Sequence, residues 1–224
     1  MISCDVVIIG AGPSGSSAAA VLAEKGHKVI LIERSRFPRY HVGESLLPFN
    51  SKILKRLGLL DKMRKSTFIK KNSVQFVDQE GVMSNPFYFN TRYPDDLAQT
   101  WQVERGEFDS MLMHAAKQNG ALIMEATEVV SLTEENGEIL GLIALNQNKE
   151  NIEIRAKITL DCSGKEAFAA NRLGWRVKDP ELNKVALWTY FEGAARASGV
   201  DEGATTVAFI PEKGWFWHIP LQNN

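Results

Sequence analysis

The sequence predicts an α/β fold, and three stretches near its start carry the prediction. "DVVIIG" (Asp5 to Gly10) is a short β-branched run ending on glycine, the mark of a buried parallel strand. "AGPSGSSAAAVLAEKG" continues with small residues at helical spacing and closes on Gly26. "HKVILIE" is a second β-branched run, ending at Glu33. Strand, helix and strand make one βαβ unit. With 224 residues, 44% hydrophobic and 24% charged, the chain can bury a substantial core in one or two domains.

The turn between the first strand and the helix is Gly10-x-Gly12-x-x-Gly15. Gly10 permits a tight turn, Gly12 lets the backbone approach a pyrophosphate, and Gly15 lets the helix pack closely on the strand. The free N–H groups and positive dipole end of the helix face the phosphate. Glu33 closes the second strand, where a carboxylate can accept hydrogen bonds from ribose hydroxyls and repel a 2′-phosphate. The arrangement predicts a bound dinucleotide, with FAD and NAD both open at this point.

Net charge is −1, which gives no electrostatic case for nucleic acid or an anionic membrane. The two cysteines, Cys4 and Cys162, define no disulfide framework, in keeping with a cytoplasmic location. The first apolar run is short and lacks a basic flank, so neither a signal peptide nor a membrane span is expected.

Farther along, "ERSRFPRYHVGESLLP" is a loop punctuated by Pro38, Gly43 and Pro48, with a helix start expected at Ser45. A nicotinamide enzyme would more often proceed into another βαβ unit, so the loop points to FAD. "WQVERGEFDSMLMHAAKQNGALI" predicts an amphipathic helix with Phe108, Met111, Leu112 and Ala115 on one face and Arg105 near its start. "ATEVVSL" and "ILGLIAL" predict a hairpin turning at Asn136-Gly137. "AKITLDCSG" is a further strand running into Asp161 and Gly164. "VALWTYFEGA" and "TTVAFIPEKGWFWHIPL" read as antiparallel strands.

This combination resembles the FAD-dependent monooxygenase superfamily. "GESLLP" together with "GWFWHIP" is similar, more narrowly, to the flavin-dependent halogenases, the tryptophan halogenases among them, whose signature W-x-W-x-I-P matches Trp215, Trp217, Ile219 and Pro220. The resemblance implies a three-layer, Rossmann-type FAD-binding core in residues 1–66 and 98–176. An interleaved antiparallel-sheet substrate region would take 67–97 and 177–224. It places Gly10, Gly12, Ser14 and Gly15 at the pyrophosphate, Glu33 and Arg34 at the adenosine side, and Glu44 and Ser45 near the flavin ring. Arg105 and the backbone around Val129 would contact the ADP portion, and Asp161 and Gly164 the ribityl and phosphate region. Read from charge alone, Arg105 could equally pair with Glu104 or Glu107, and Asp161 could cap the segment after it.

The resemblance also selects Lys71, five residues before Phe76, as the group that delivers hypohalous acid, made from halide by reduced flavin and oxygen, to an electron-rich aromatic or pyrrole carbon. Ser73 stands where the related pattern has glycine. Lys70 would face the opposite side of an extended segment. Trp215 and Trp217 would form a wall keeping the organic substrate from the flavin. The implied partners are a separate NADH-dependent flavin reductase supplying FADH2, and a small-molecule or carrier-tethered substrate of natural-product biosynthesis. The family continues beyond this length, with a third FAD motif, a halide loop and an acidic partner of the lysine, so the chain is expected to be its N-terminal portion. A flavin hydroxylase, a geranylgeranyl-reductase-like oxidoreductase and a non-catalytic FAD-binding fragment are the competing readings.

Overall fold

The computed structural model describes residues 1–93, 97–182 and 184–222. Its elements run β1 (Ile2–Ile9), α1 (Pro13–Glu24), β2 (Val29–Ile32), α2 (Asn50–Arg56), α3 (Leu60–Arg64), β3 (Ile69–Lys71), β4 (Ser73–Val77) and β5 (Phe87–Tyr88). There follow β6 (Thr100–Gln102), α4 (Arg105–Gln118), β7 (Leu122–Met124), β8 (Glu128–Glu135), β9 (Glu138–Leu145), β10 (Asn151–Asp161), α5 (Phe168–Arg172), β11 (Thr205–Ile210) and β12 (Gly214–His218). Two compact units form, Met1–Tyr40 with Gly106–Ala186, and His41–Arg105 with Leu187–Asn224.

The first unit is built on a sheet of order β7-β2-β1-β10-β9-β8. β7, β2, β1 and β10 are parallel, and β9 and β8 continue as an antiparallel meander. Continuous burial of Val29–Ile32 explains why that run carries no polar alternation. Val7, Ile9, Ile30, Ile32, Leu142, Ala144 and Ile154 form one apolar cluster. The β8–β9 hairpin turns through Asn136 (φ 54°) and Gly137 (φ 82°), a pair of positive φ angles that suits Asn-Gly. Phe108, Met111, Leu112 and Ala115 of α4 are all buried, as the helical spacing predicts.

The second unit holds a four-stranded sheet, β12-β11-β4-β5, and the ribbon β3-β6. Five features depart from the sequence reading. Residues 41–66 and 98–105 pack in this unit, because β6 pairs with β3 and residues 44–46 lie along β6. Residues 177–182 and 184–186 pack in the first unit. Ser45 starts no helix: it bridges Gln102 in extended conformation, and α2 begins at Asn50, past Pro48. The sheet is mixed, since β11 runs parallel to β4. "VALWTYFEGA" forms no strand, because no described sheet edge pairs with it, and extended residues need a partner strand.

Candidate functional site

In the first unit the end of β1, the start of α1 and the end of β10 meet at the glycine turn. Gly10 has φ +95°, and a Cβ there would lie 2.6 Å from the carbonyl oxygen of Cys162. A Cβ on Gly15 would lie 1.9 Å from the Gly10 carbonyl oxygen. Both glycines are therefore demanded by the protein itself. Gly12 is different: a Cβ there would meet only Arg39 Nη2, at an ordinary 3.7 Å. Its missing side chain leaves open space above the start of α1. No side chain caps that helix, and Pro13 has no N–H to satisfy. Ser14 sits in the first turn and contacts Cys162 Sγ at 3.6 Å.

Glu33 is buried. Its Oε2 accepts the N–H of Ala11 at 3.0 Å and its Oε1 that of Ser35 at 3.0 Å. The carboxylate thus ties the end of β2 to the glycine turn while keeping lone pairs for a ribose. Arg34 is exposed and paired with Glu166. The cation at the turn is Arg39, which the sequence reading did not single out. Its Nε lies 3.7 Å from Glu33 Oε1, and its Nη1 lies 3.2 Å from the fully buried Asp109 without hydrogen-bond alignment. Three arginines crowd "RSRFPR", and sequence gives no rule for which one folds back.

Asp161 pairs in register with Ile9, one residue before the turn. Its carboxylate takes the N–H and hydroxyl of Ser163 and the N–H of Ala169 in α5. It is a cap as well as a neighbour of the phosphate turn, and Gly164 follows at φ +65°. Val129 puts its side chain into the sheet core. The backbone beside it, Ala126 and Thr127, bonds to the carbonyls of Ser35 and Glu33.

In the second unit the β3–β6 ribbon buries Lys71 and leaves Lys70 exposed, as alternation requires. Lys71 Nζ donates to Ser45 Oγ at 2.9 Å and to the Leu46 carbonyl at 3.3 Å, and lies 5.4 Å from the Phe89 ring centroid. Burial lowers its pKa from 10.5 to about 8. Glu44 is buried and accepts the Gly43 N–H and the Tyr190 hydroxyl, at 2.8 and 2.7 Å. Arg105 Nη1 donates to the carbonyls of Val42 and Gly43, so this guanidinium braces the loop carrying Glu44.

Trp215 and Trp217 share one face of β12, with ring centroids 5.9 Å apart and an interplanar angle of 54°. Register places Trp217 beside Val207 and Phe76, and Trp215 beside Phe209. Both indoles are about half exposed on this apolar face. They share no hydrogen bond or ring contact with Lys71 among the described residues.

The glycine turn, the open space at Gly12, the buried Glu33 and the adjacent Arg39 fit the pyrophosphate and ribose of a dinucleotide. The model of the FAD binding domain family matches residues 3–223. The chain belongs to that family. Halogenases are among its relatives. It is 33% identical to a 1H-pyrrole-2-carbonyl-[peptidyl-carrier protein] chlorinase of Pseudomonas fluorescens, over 97% of this chain and 53% of that protein. It is 34% identical to the flavin-dependent halogenase armH3 of Armillaria mellea, over 99% of this chain and 45% of that one. The solved myxobacterial chondrochloren halogenase CndH superposes with a TM-score of 0.82 at 31% identity, over 100% of this chain and 51% of that one. The chain spans about half the length of the relatives it matches. The family's cofactor is FAD. No helix among the described residues is long and apolar enough to cross a membrane.

Proposed function

We propose that the full-length protein is an FAD-dependent halogenase acting on an electron-rich aromatic or pyrrole substrate, free or tethered to a carrier protein. The observation that carries the proposal is Lys71, a buried lysine with a lowered pKa and no bonded carboxylate among the described residues, at the position the halogenase resemblance selects. Bound reduced FAD, supplied by a separate NADH-dependent reductase in the cytoplasm, would give two electrons to oxygen, and halide would give up two more to become hypohalous acid, the second oxygen atom leaving as water.

Gly12, Ser14 and Gly15 present backbone N–H groups to the pyrophosphate, and Gly10, whose own N–H is donated to the Ile32 carbonyl, shapes the turn that brings them there. Glu33 and Arg39 face the ribose and phosphate charges, and Asp161 and Gly164 close the other side of that turn. Glu44 and Ser45 stand on the loop that leads to the lysine. Lys71 Nζ receives hypohalous acid, as a hydrogen-bond donor or as a free amine. The halogen is then passed to a carbon whose proton departs with the hydroxyl oxygen as water. Trp215 and Trp217 keep the organic substrate away from the flavin, which suppresses hydroxylation. The name of the chlorinase supports a carrier-tethered pyrrole as one substrate class.

The test supplies the full-length protein with reduced FAD, oxygen, bromide and an electron-rich trap, and reads bromine isotope pairs by mass spectrometry. Protein-dependent bromination that collapses in Lys71→Ala, with flavin still bound, is expected. Hydrogen peroxide or a hydroxylated trap without bromination would replace this reading with the hydroxylase.

A further inference from the structure

Between Glu44 and Asp78 the sequence carries eight lysines and arginines and a single acid, Asp61. The whole chain has a net charge of −1, so this stretch stands against an otherwise acidic molecule. Six of the eight, from Lys52 to Lys65, lie on α2, on α3 and on the residue that ends α3, and all six are exposed. Arg64 pairs with Asp61 at 3.1 Å, whereas Lys52, Lys55, Lys62 and Lys65 have no ion-pair partner among the described residues. A surface built only for solubility intersperses both signs, and one sign held together makes a local positive field.

The cations stand beside apolar side chains that are also in water. Leu47, Phe49 and Ile53 are 65%, 58% and 44% exposed, and the Phe49 ring centroid lies 4.6 Å from Lys52 Nζ. Beneath them the segment is held fast. Ser51, Leu54, Leu60 and Met63 are buried, Ser51 Oγ donates to the Gln99 carbonyl at 3.1 Å, and Thr100 Oγ1 donates to the Leu47 carbonyl at 3.3 Å. An apolar centre with a charged rim is the anatomy of a protein-docking surface. The patch also begins beside the buried lysine. The Leu46 carbonyl accepts from Lys71 Nζ, and Leu47, the next residue, is exposed. At the other end α3 leads through buried Phe68 into β3, which ends at Lys71.

We propose that this outer face of α2 and α3 docks an acidic face of the carrier protein that presents the tethered substrate. The inference rests on the carrier-tethered form of the proposed function and adds to it where the carrier sits. Charge complementarity selects the occupant: the lysines steer an acidic protein to the patch, and Phe49 and Ile53 give it apolar contact. A second copy of this chain would set lysine against lysine in a two-fold contact. Membrane binding scales with buried apolar area, and three side chains on a seven-residue helix and its lead-in supply little of it. A carrier docked here offers its acyl group from the side of the loop that holds Lys71, whereas a free substrate needs no such contact.

The test takes the full-length protein and a peptidyl-carrier protein loaded with pyrrole-2-carbonyl, and reads their affinity by fluorescence anisotropy at low salt. Lys52→Glu combined with Lys55→Glu weakens binding about tenfold or more, and salt at about 0.5 M weakens binding to the parent likewise. Lys25→Glu combined with Lys178→Glu makes the same change in net charge at exposed sites outside the patch and leaves the affinity in place. Phe49→Ala weakens binding about tenfold without altering its salt dependence. A parent that does not bind the carrier, an unchanged affinity in the Lys52 and Lys55 pair, or equal weakening by the two pairs would overturn the proposal. A parent that binds vesicles of phosphatidylglycerol and phosphatidylcholine in place of the carrier would also overturn it and assign the face to lipid. Affinity is read without turnover, so docking can hold where bromination is absent, and bromination of a free trap can hold where docking fails.

Discussion

Gly15 presses on Gly10: a Cβ at the first would lie 1.9 Å from the carbonyl oxygen of the second. Nothing on either side can yield, because the obstacle is backbone. Gly15→Ala therefore forces α1 away from the end of β1 and costs about 3 kcal/mol, with the helix start displaced from its phosphate-binding position. Thermal unfolding and retained flavin absorbance both fall in this variant.

Gly12→Ala separates binding from folding. Gly12 has φ −67° and ψ −177°, a conformation open to any residue. Alanine there changes stability by no more than about 1 kcal/mol. Its methyl group occupies the space where the pyrophosphate would approach, so FAD affinity drops more than tenfold, about 1.4 kcal/mol or more. A variant that unfolds as readily as Gly15→Ala, or binds FAD like the parent, would contradict this.

Arg39→Met tests the cation that sequence did not reveal. Its loss removes a charge-assisted contact of about 1.5–3 kcal/mol, so FAD binds about ten- to a hundredfold more weakly by fluorescence titration. Arg34→Met, at an exposed pair with Glu166, changes affinity far less.

The contrast between these two arginines shows what the chain displays on its face. Gly10, Gly15 and Glu33 were legible because a βαβ turn has few solutions, and each residue satisfies a local steric or hydrogen-bonding demand. Lys71 was selected by its spacing from Phe76 in the halogenase resemblance, and strand alternation put Lys70 on the opposite face. Arg39 was not legible, since its position depends on how a loop folds back onto α4. "VALWTYFEGA" misled because β-propensity is realised only against a partner strand.

Lys71→Met is expected to stabilise the protein while abolishing halogenation. The unfolded lysine has a pKa of 10.5 and the folded one about 8, so the unfolded chain binds more protons between those values. Stability of the parent therefore rises with pH through that window, and below it the full penalty of burying the charge applies. Replacing the ammonium by an apolar chain of similar length gains about 1–3 kcal/mol at neutral pH. The gain shrinks toward pH 10.5. Denaturant melts of both proteins at neutral and alkaline pH check the sign, and a Lys71→Met protein less stable than its parent at neutral pH would refute it.

Asp201 clamps two strands of the second unit. It accepts the hydroxyl of Ser73 in β4 at 2.7 Å and that of Tyr88 in β5 at 2.8 Å. The bond and charge of the carboxylate raise the Tyr88 pKa. Asp201→Asn keeps the shape and removes the charge, so one tyrosine titrates at lower pH in an ultraviolet difference titration. Tyr88→Phe abolishes that difference. An unchanged titration in Asp201→Asn would mean that the carboxylate does not act on Tyr88.

Trp215 and Trp217 give the test of the wall. Each is about half exposed on β12, so truncation removes less packing than at a core site. Trp215→Ala and Trp217→Ala cost about 1 kcal/mol or less in stability, well below the 3–5 kcal/mol of a buried tryptophan. If the indoles hold the substrate away from the flavin, the full-length variants produce hydroxylated trap alongside brominated trap, and the double variant shifts the ratio further. The paired geometry, with ring centroids 5.9 Å apart, predicts that the two substitutions are not additive, because each ring loses its neighbour in either variant. Unchanged product ratios with intact bromination would leave the tryptophans as surface aromatics of the sheet and move the barrier to another part of the protein.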